Sequence, residues 1–287
     1  MEKDKIVENI LKTSPSTFRE CLKRLFYRYS ILKNDEYVYH YTNIDAVING
    51  IIVENPEKDK EILLKATRWT HLNDKNELKS GLELIGGASE RLSFLSDGLK
   101  QYHKKTCLLS FCRNADSLPM WNMYGKNGNG VMLAFDTKVL REMYGYRLLP
   151  CIYEDTEYDV EVIKRLGSLD LGEKFKSLSN EAQLYISFVL SALFVSLRKN
   201  RAFEYEDEFR IIGIGNKFFE DETPTLYRTA KDIIVPYTNV FFPKNALKGV
   251  WMGPTNNEDL SVATMKEFLE SNGFDIPVEK SKIPYRG

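Results

Sequence analysis

The stretch Phe203-Glu-Tyr-Glu-Asp-Glu-Phe-Arg-Ile211 is the most informative part of the chain, because charged and apolar side chains alternate along it. Alternation with a period of two predicts a β-strand, here from Glu206 to Ile214. In an extended chain one face carries Glu204, Glu206, Glu208 and Arg210. Carboxylates that share a face repel one another, and the repulsion raises their pKa unless a cation or a ligand compensates. The pattern indicates either a functional acidic pair or a solvated outer face with Arg210 as the partner.

Segments with strand and helix patterns lie on both sides of this stretch, and their order decides the fold class. The other predicted strands cover residues 37–41, 61–65, 105–112, 131–135, 147–153, 225–235, 238–242 and 249–252. The predicted helices cover residues 4–30 in two pieces, 42–50, 77–98, 117–124, 173–199 and 257–272. Strands outnumber the helices between them and the turns are short, which favours an α+β fold over a doubly wound parallel sheet.

The composition excludes several classes of protein. The chain of 287 residues has 43% apolar and 28% charged residues, as folded proteins do, and its net charge of -1 is not that of a strongly basic nucleic-acid binder. The apolar run Tyr185–Leu197 is shorter than the roughly 20 residues that cross a bilayer and predicts a buried core helix. Cys21, Cys107, Cys112 and Cys151 form no paired motif, so we expect free thiols. A cytoplasmic protein with no membrane partner is expected.

Few residues outside the acidic stretch are candidates for chemistry. The sequence has no phosphate-binding glycine loop, no zinc-protease motif and no nucleophile elbow, and the GKNGNG run at 125–130 predicts a turn. His40 lies in a strand of alternating aromatics, on the face opposite Tyr39 and Tyr41. It is either a ligand contact or a hydrogen-bonded core histidine. Tyr124 follows a short helix, where its phenol can reach a cleft.

Several segments, taken in order, resemble a widespread bacterial family, domain-of-unknown-function family 2971. They are Tyr39-His-Tyr-Thr42, Leu72-Asn-Asp74 with Glu77, Leu109-Ser-Phe-Cys112, Met120-Trp-x-x-Tyr124, Val131–Asp136 and Tyr205-Glu-x-Glu-Phe-Arg210. The resemblance runs from about residue 37 to 255 and leaves out the N-terminal helices. Phe203 departs from it, since a Trp is expected before the acidic strand.

The layout of these segments is in turn similar to the ADP-ribosyltransferase superfamily. That resemblance implies an α+β fold with a bent, split mixed sheet that holds NAD in a central cleft, with N-terminal and inserted helices added. It implies that Glu208 holds the ribose 2′-hydroxyl and stabilises an oxocarbenium-like state, while Glu206 takes the proton of the acceptor. The residues expected to contact NAD are His40, Tyr41, Thr42, Ser110 and Tyr124. No metal is required.

The implied function is an NAD-dependent ADP-ribosyltransferase, of the kind used as a bacterial toxin or phage-defence effector, that modifies a protein or nucleic acid. Two alternatives stay open. A metal-dependent nuclease would gather Asp74, Glu77, Glu206 and Glu208 around Mg²⁺. A non-enzymatic module would bind a peptide or nucleotide in an aromatic cleft.

The N-terminal helices raise the question of partners. We divide the chain into a helical segment, 1–34, and an α+β catalytic domain, 35–287, although no linker marks the boundary. An apolar stripe in the first segment must be buried; it comprises Phe18, Leu22, Leu25, Phe26 and Tyr29. The simplest explanation is that these helices pack against the core of the same chain. The alternative is a lid over the cleft, and a toxin-like enzyme also predicts an antitoxin-like or regulatory protein partner.

Overall fold

A computed structural model describes residues 15–26, 37–55, 58–74, 76–88, 90–104, 106–214, 223–230, 232–255 and 259–285. The strands are β1 Tyr37–Thr42, β2 Ile52–Asn55, β3 Lys58–Arg68, β4 Cys107–Cys112, β5 Val131–Asp136, β6 Leu148–Pro150, β7 Ile152–Tyr153, β8 Arg198–Lys199, β9 Glu208–Ile214, β10 Leu226–Ala230, β11 Ile233–Phe242, β12 Leu247–Met252 and β13 Val278–Lys280. The helices are α1 Pro15–Leu25, α2 Ile44–Ala46, α3 Glu77–Ala88, α4 Glu90–His103, α5 Leu118–Met123, α6 Thr137–Tyr144, α7 Thr156–Ser168, α8 Glu173–Lys176, α9 Asn180–Leu197 and α10 Asp259–Ser271.

In the described part of the chain, eleven strands form one open sheet, with the main order β10-β11-β3-β4-β1-β5-β12-β13. Strand β2 pairs with β3, while β9 pairs with both β4 and β6. Strands β12 and β13 are parallel and the other pairs of this sheet are antiparallel, so the sheet is mixed. The predicted α+β class is confirmed.

The sheet branches at β4. One edge of β4 pairs with β9 from Cys107 to Cys112. The other edge pairs with β3 at Cys107 and Leu108, and with β1 only at Cys112. Within the described residues, positions 109–111 therefore have no strand partner on that second edge. Strands β1 and β3 part at this point and leave an opening beside β4.

Two hydrophobic cores cover the two faces of the sheet. Leu109, Phe111 and Phe209 face one core, which α6 and α10 complete with Leu140 and Leu269. The residues that alternate with them along the strands point to the opposite face of the sheet. That face is covered by a second core built mainly from helices, which we call the helical core. Helix α9 lies in that helical core: it is long and apolar enough to cross a membrane, but 67% of it is buried inside the protein. The core helix predicted for this run is therefore observed.

Helix α1 belongs to the helical core. Phe18, Leu22, Leu25 and Phe26 are buried there beside Cys21, so the predicted burial of the stripe is confirmed for these four residues. The Tyr158 hydroxyl donates a hydrogen bond of 2.7 Å to the Leu25 carbonyl, which ties α1 to α7. Tyr29 and the helical piece expected before Pro15 lie outside the described residues. All four cysteines are buried free thiols, as predicted.

Several predicted boundaries are wrong. Helices α6 and α7 were not predicted, although each begins at an aspartate whose side chain accepts backbone N–H groups, Asp136 and Asp155. The helix predicted over 42–50 begins at Ile44, after Asn43, whose side chain accepts from the Ala46 N–H at 2.7 Å. The strand expected over 225–235 ends at Ala230, and β11 begins at Ile233 after a turn at Asp232, whose φ of 61° reverses the chain.

Leu25→Ala tests whether α1 is part of the folding core. Leu25 is fully buried, and we expect the substitution to lower the free energy of unfolding by about 2–5 kcal/mol, as large-to-small changes in cores do. Leu260→Ala, at a position that is 75% exposed on α10, is the control and should change it by no more than about 0.5 kcal/mol. Urea unfolding measures both; equal losses would show that α1 packs loosely.

Candidate functional site

The acidic stretch is not one continuous strand. Residues Arg201–Glu206 form a 3₁₀-helix, which begins where the Asn200 side chain accepts from the Ala202 N–H at 2.9 Å. Asp207, with a φ of 40°, ends the helix in the left-handed region, and β9 begins at Glu208. The predicted common face of Glu204, Glu206, Glu208 and Arg210 is therefore wrong. Glu204 is exposed, while Glu206 and Glu208 are 3% and 4% exposed.

Lys199 lies between the two buried carboxylates. Its ammonium group donates to Glu206 Oε2 and to Glu208 Oε2, and it lies 5.1 Å from the centre of the Phe203 ring. This contact gives the departure at Phe203 a structural role, since a Trp ring would bind a cation in the same way. Lys199 is the second residue after α9, in β8, and no motif in the sequence indicates its role.

Neighbouring residues hold Lys199 in place. The Arg198 guanidinium donates to Asp159 Oδ2 at 3.0 Å and 3.2 Å, and to Glu154 Oε1 at 3.1 Å. The Asn200 side chain donates to Glu154 Oε2 at 2.8 Å. Because both neighbours are anchored, the backbone at Lys199 has a defined position and directs the side chain at the acidic pair.

Arg210 makes the second cationic contact. Its Nε donates to Glu208 Oε1 and its Nη2 to Glu208 Oε2, both at 2.9 Å, while Nη1 donates to the Ser196 carbonyl at 2.8 Å. Arg210 is 1% exposed. A bidentate pair of this kind fixes the plane of the carboxylate as well as its position. The interpretation of a solvated outer face is therefore wrong, although Arg210 is indeed the partner.

The charge states of the cluster follow from these contacts. Burial alone would raise the pKa of Glu208, but Arg210 and Lys199 lower it well below its ordinary value, so the carboxylate is ionised. Compensation by cations, the condition under which no raised pKa was expected, therefore applies to Glu208, through Arg210 and through Lys199. Burial alone would lower the pKa of Lys199, yet Glu208 and Glu206 hold it above its ordinary value.

Tyr124 reaches the cluster from the end of α5. Its hydroxyl donates to Glu206 Oε1 at 2.7 Å and accepts from Asn73 Nδ2 at 2.9 Å. Burial and the adjacent Glu206 raise the pKa of Tyr124, so the phenol keeps its proton. Asn73 belongs to the loop after β3, and this loop is therefore tied to the acidic pair through one hydroxyl.

His40 lies at the point where the sheet branches. Its Nδ1 is 3.1 Å from the Ser110 carbonyl on the unpaired edge of β4, and its ring packs edge-on against Phe111 with the ring centres 6.0 Å apart. A carbonyl can only accept, so Nδ1 carries the proton and Nε2 is left as an acceptor. Burial lowers the pKa of His40, which makes the imidazole neutral at pH 7.

Tyr41 is held more firmly than a mobile stacking residue would be. Its hydroxyl donates to the Asn114 carbonyl at 3.1 Å and accepts from the Ser117 N–H at 2.9 Å. Its ring packs edge-on against Trp121 with the ring centres 4.9 Å apart. Of the two tyrosines expected to contact NAD, Tyr41 is buried and fixed in place, whereas Tyr124 is only half-buried.

A cleft of about 460 Å³ opens along the unpaired edge of β4. It brings together all the residues that the sequence analysis proposed for the site: His40, Tyr41, Thr42, Ser110, Tyr124, Glu206 and Glu208. Lys199, Arg210 and Asn73 also line it; of these, Arg210 was expected only as a partner of the carboxylates, and Lys199 and Asn73 were not proposed as site residues. No described residue of α1 lines the cleft, which favours padding over a lid for this helix.

The carboxylates of the nuclease alternative are engaged differently. Lys199 and Arg210 pair with Glu206 and Glu208, and Asp74 accepts from the Asn76 and Asn200 N–H groups. The side chain of Glu77 is outside the described part of the chain. In that part, no group of three or more His, Cys, Asp or Glu side chains could hold a metal ion.

Comparison with known proteins supports one part of the expected relationship. Residues 120–211 match the family described as "Protein of unknown function (DUF2971)". The family resemblance is confirmed over this segment. The DUF2971 segment contains Tyr124, Lys199, Glu206, Glu208 and Arg210, whereas His40 lies outside it. No curated protein and no solved structure matches the chain.

Lys199→Met tests the buried charge cluster. The change leaves two buried carboxylates facing each other without their shared cation, so we expect the free energy of unfolding to fall by about 3–5 kcal/mol. Lys79→Met, which removes the exposed ion pair with Glu83, should cost less than about 1 kcal/mol. Adding Glu206→Gln to Lys199→Met should recover part of the loss, since the repulsion disappears. No recovery would mean that packing, not charge, stabilises this region.

The pH dependence of stability tests the state of Glu208. Its pKa is lowered on folding from the ordinary value of 4.5, so its contribution is complete above pH 4.5 and is lost as the pH falls below it. Urea unfolding between roughly pH 6 and pH 3 should show a shallower loss of stability for Glu208→Gln than for the wild type. Parallel curves for the two proteins would contradict the assignment.

Proposed function

We propose that the chain is an NAD-dependent ADP-ribosyltransferase that binds NAD in the cleft beside β4. The observation that carries the proposal is that one cleft holds a neutral histidine and an ionised glutamate, on the two strands that flank β4. His40 on β1 is neutral and Glu208 on β9 is ionised, and both line the same cleft. The activity would suit a bacterial toxin or a phage-defence effector.

The branch of the sheet supports the finer fold that this activity requires. A transferase of this superfamily needs a split sheet with its cleft between the two halves. Here β1 and β3 part along one edge of β4, and residues 109–111 leave backbone groups on that edge without a described strand partner. The opening has the volume of a small-molecule site, which typically falls between about 300 and 1,000 Å³.

Glu208 has the properties that cleavage of the nicotinamide–ribose bond needs. The bond breaks with positive charge developing on the ribose, and a fixed carboxylate stabilises that charge. Arg210 and Lys199 together donate three hydrogen bonds to Glu208. A carboxylate has about four acceptor positions, so the described bonds leave one for a ribose hydroxyl. The carboxylate is therefore oriented in advance and still able to accept.

The other residues divide the remaining roles. His40 Nε2 would accept from a second ribose hydroxyl, because Nδ1 already donates to Ser110. Glu206, hydrogen-bonded to Tyr124 and Lys199, would take the proton of the acceptor. The aromatic face of Tyr124 would pack against nicotinamide, while Thr42, Ser110 and Tyr41 would form the wall around it.

Glu208→Gln should lower nicotinamide release from NAD by about 10²-fold or more, because the amide keeps the shape but loses the negative charge. Glu206→Gln should reduce transfer to an acceptor more than it reduces nicotinamide release. Glu204→Gln, an exposed change in the same segment, is the matched control and should leave both rates unchanged. Release of radiolabelled nicotinamide, with melting temperatures as the check on folding, measures these effects; equal small effects for Glu206 and Glu208 would overturn the assignment.

The wild-type protein separates the proposal from the two alternatives. Binding of NAD followed by nicotinamide release supports the transferase. NAD binding without release supports a non-enzymatic module, and nucleic-acid cleavage that a chelator abolishes supports the nuclease.

A further inference from the structure

The charge of the cleft differs from the charge of the whole protein. Four cationic side chains line it, Lys65, Lys199, Arg210 and Arg228, against two carboxylates, Glu206 and Glu208. With the histidines left aside, the cleft has an excess of two positive charges in a chain whose net charge is -1. The carboxylates are paired with Lys199 and Arg210 at the buried floor. The excess therefore belongs to Lys65 and Arg228, which are exposed at the rim.

Lys65 and Arg228 flank an aromatic ring on one face of the sheet. Tyr237 of β11 pairs in register with Thr67 of β3, so the side chains of Tyr237 and Thr67 lie on the same face of the sheet. The Lys65 ammonium lies 5.5 Å and the Arg228 guanidinium 5.9 Å from the centre of the Tyr237 ring. Arg228 also donates to Thr67 Oγ1 at 3.1 Å, which holds the guanidinium on this face. We call Lys65, Thr67, Arg228 and Tyr237 the cationic wall.

The cations of the wall are available to a ligand. Neither Lys65 nor Arg228 forms an ion pair with any residue in the described ranges, whereas Glu206 and Glu208 pair with Lys199 and Arg210. Three residues of the wall, Lys65, Thr67 and Arg228, line the cleft, and the wall continues from there to Tyr237 on β11, which pairs with the edge strand β10. Exposed cations beside an aromatic ring on an open face suit a flexible polyanion whose rings can stack.

We propose that the cationic wall binds a single strand of nucleic acid, with its phosphates on Lys65 and Arg228 and a base packed against Tyr237. The wall leads into the cleft, since Lys65, Thr67 and Arg228 line both. A strand bound there would present a nucleotide to Glu206. The claim that nucleic acid binds here rests on the cationic wall alone. The further claim that the bound nucleic acid accepts ADP-ribose rests on the proposed function.

A single strand fits the wall better than the other polyanions do. A duplex keeps its bases stacked and cannot place one on Tyr237. An acidic peptide would pair with the two cations but has no use for the ring between them. A mononucleotide would need a concave site around the ring, whereas Tyr237 is half-buried on an open strand face.

The test is fluorescence anisotropy with a labelled single-stranded oligonucleotide of about 12 nucleotides, within the usual span of such sites, without NAD. Tyr237→Ala should weaken binding about fivefold to 150-fold, the usual effect of removing a stacking platform. Arg228→Gln should weaken binding and reduce the slope of log affinity against log salt by about 0.7, the value for one phosphate contact on a single strand.

Two variants control for position and for charge. Tyr227→Ala removes an exposed tyrosine of β10 that points to the opposite sheet face from Arg228, and Lys266→Gln removes an exposed cation on α10. Both should bind the oligonucleotide as the wild type does. Equal losses from Tyr227→Ala and Tyr237→Ala would overturn the proposal, because they would show general destabilisation of the hairpin.

Competition identifies the ligand class. Poly-glutamate that binds as tightly as the oligonucleotide would assign the wall to an acidic protein. ADP that displaces the oligonucleotide with the same sensitivity to Tyr237→Ala would make it a mononucleotide pocket. Absence of oligonucleotide binding at low salt would also overturn the proposal that the cationic wall binds single-stranded nucleic acid. Nicotinamide release is measured without nucleic acid, so a failure of the transferase and a failure of the wall give different results.

Discussion

Burying four charges in one place requires each to face an opposite charge, and this requirement organises the site. Glu208 is held in a plane by Arg210 and shares Lys199 with Glu206. Removing any partner leaves an uncompensated charge in a region of low dielectric, which costs far more than the intact cluster contributes. The cluster therefore specifies geometry more than it adds stability. It joins the end of α9, the 3₁₀-helix Arg201–Glu206 and the start of β9.

The branch at β4 is the second constraint, and the charge cluster depends on it. Because β1 and β3 part along one edge of β4, a cleft forms there, and Glu208 and Arg210 of β9 line it. His40 satisfies one carbonyl of the exposed edge through its Nδ1 proton. That hydrogen bond fixes the tautomer, and burial keeps the ring neutral. A neutral acceptor and a fixed anion thus lie on either side of one strand.

The cleft has a neutral floor and a cationic rim. Its buried carboxylates are matched by two buried cations, so the charge that a ligand meets first comes from Lys65 and Arg228. Attraction of an anionic ligand to such a rim needs no net positive charge on the protein. The proposed binding of NAD at the floor and of nucleic acid at the rim therefore use separate groups.

The sequence by itself determined the α+β class, most strands, the free buried cysteines and several of the residues that line the cleft. Period-two alternation and local turn residues are encoded within a few positions, and the motif order placed His40, Tyr124, Glu206 and Glu208 in one list. The caps at Asp136 and Asp155 were also present as local signals, but helices α6 and α7 were overlooked. Only the tertiary structure decided how the acidic stretch is used. The left-handed turn at Asp207 breaks the expected alternation, and Lys199 reaches the carboxylates because Arg198 is anchored to Asp159, which lies distant in sequence. The pKa of Glu208 is lowered because Arg210 and Lys199 lie beside it; strand periodicity cannot show that a lysine from β8 comes near in space.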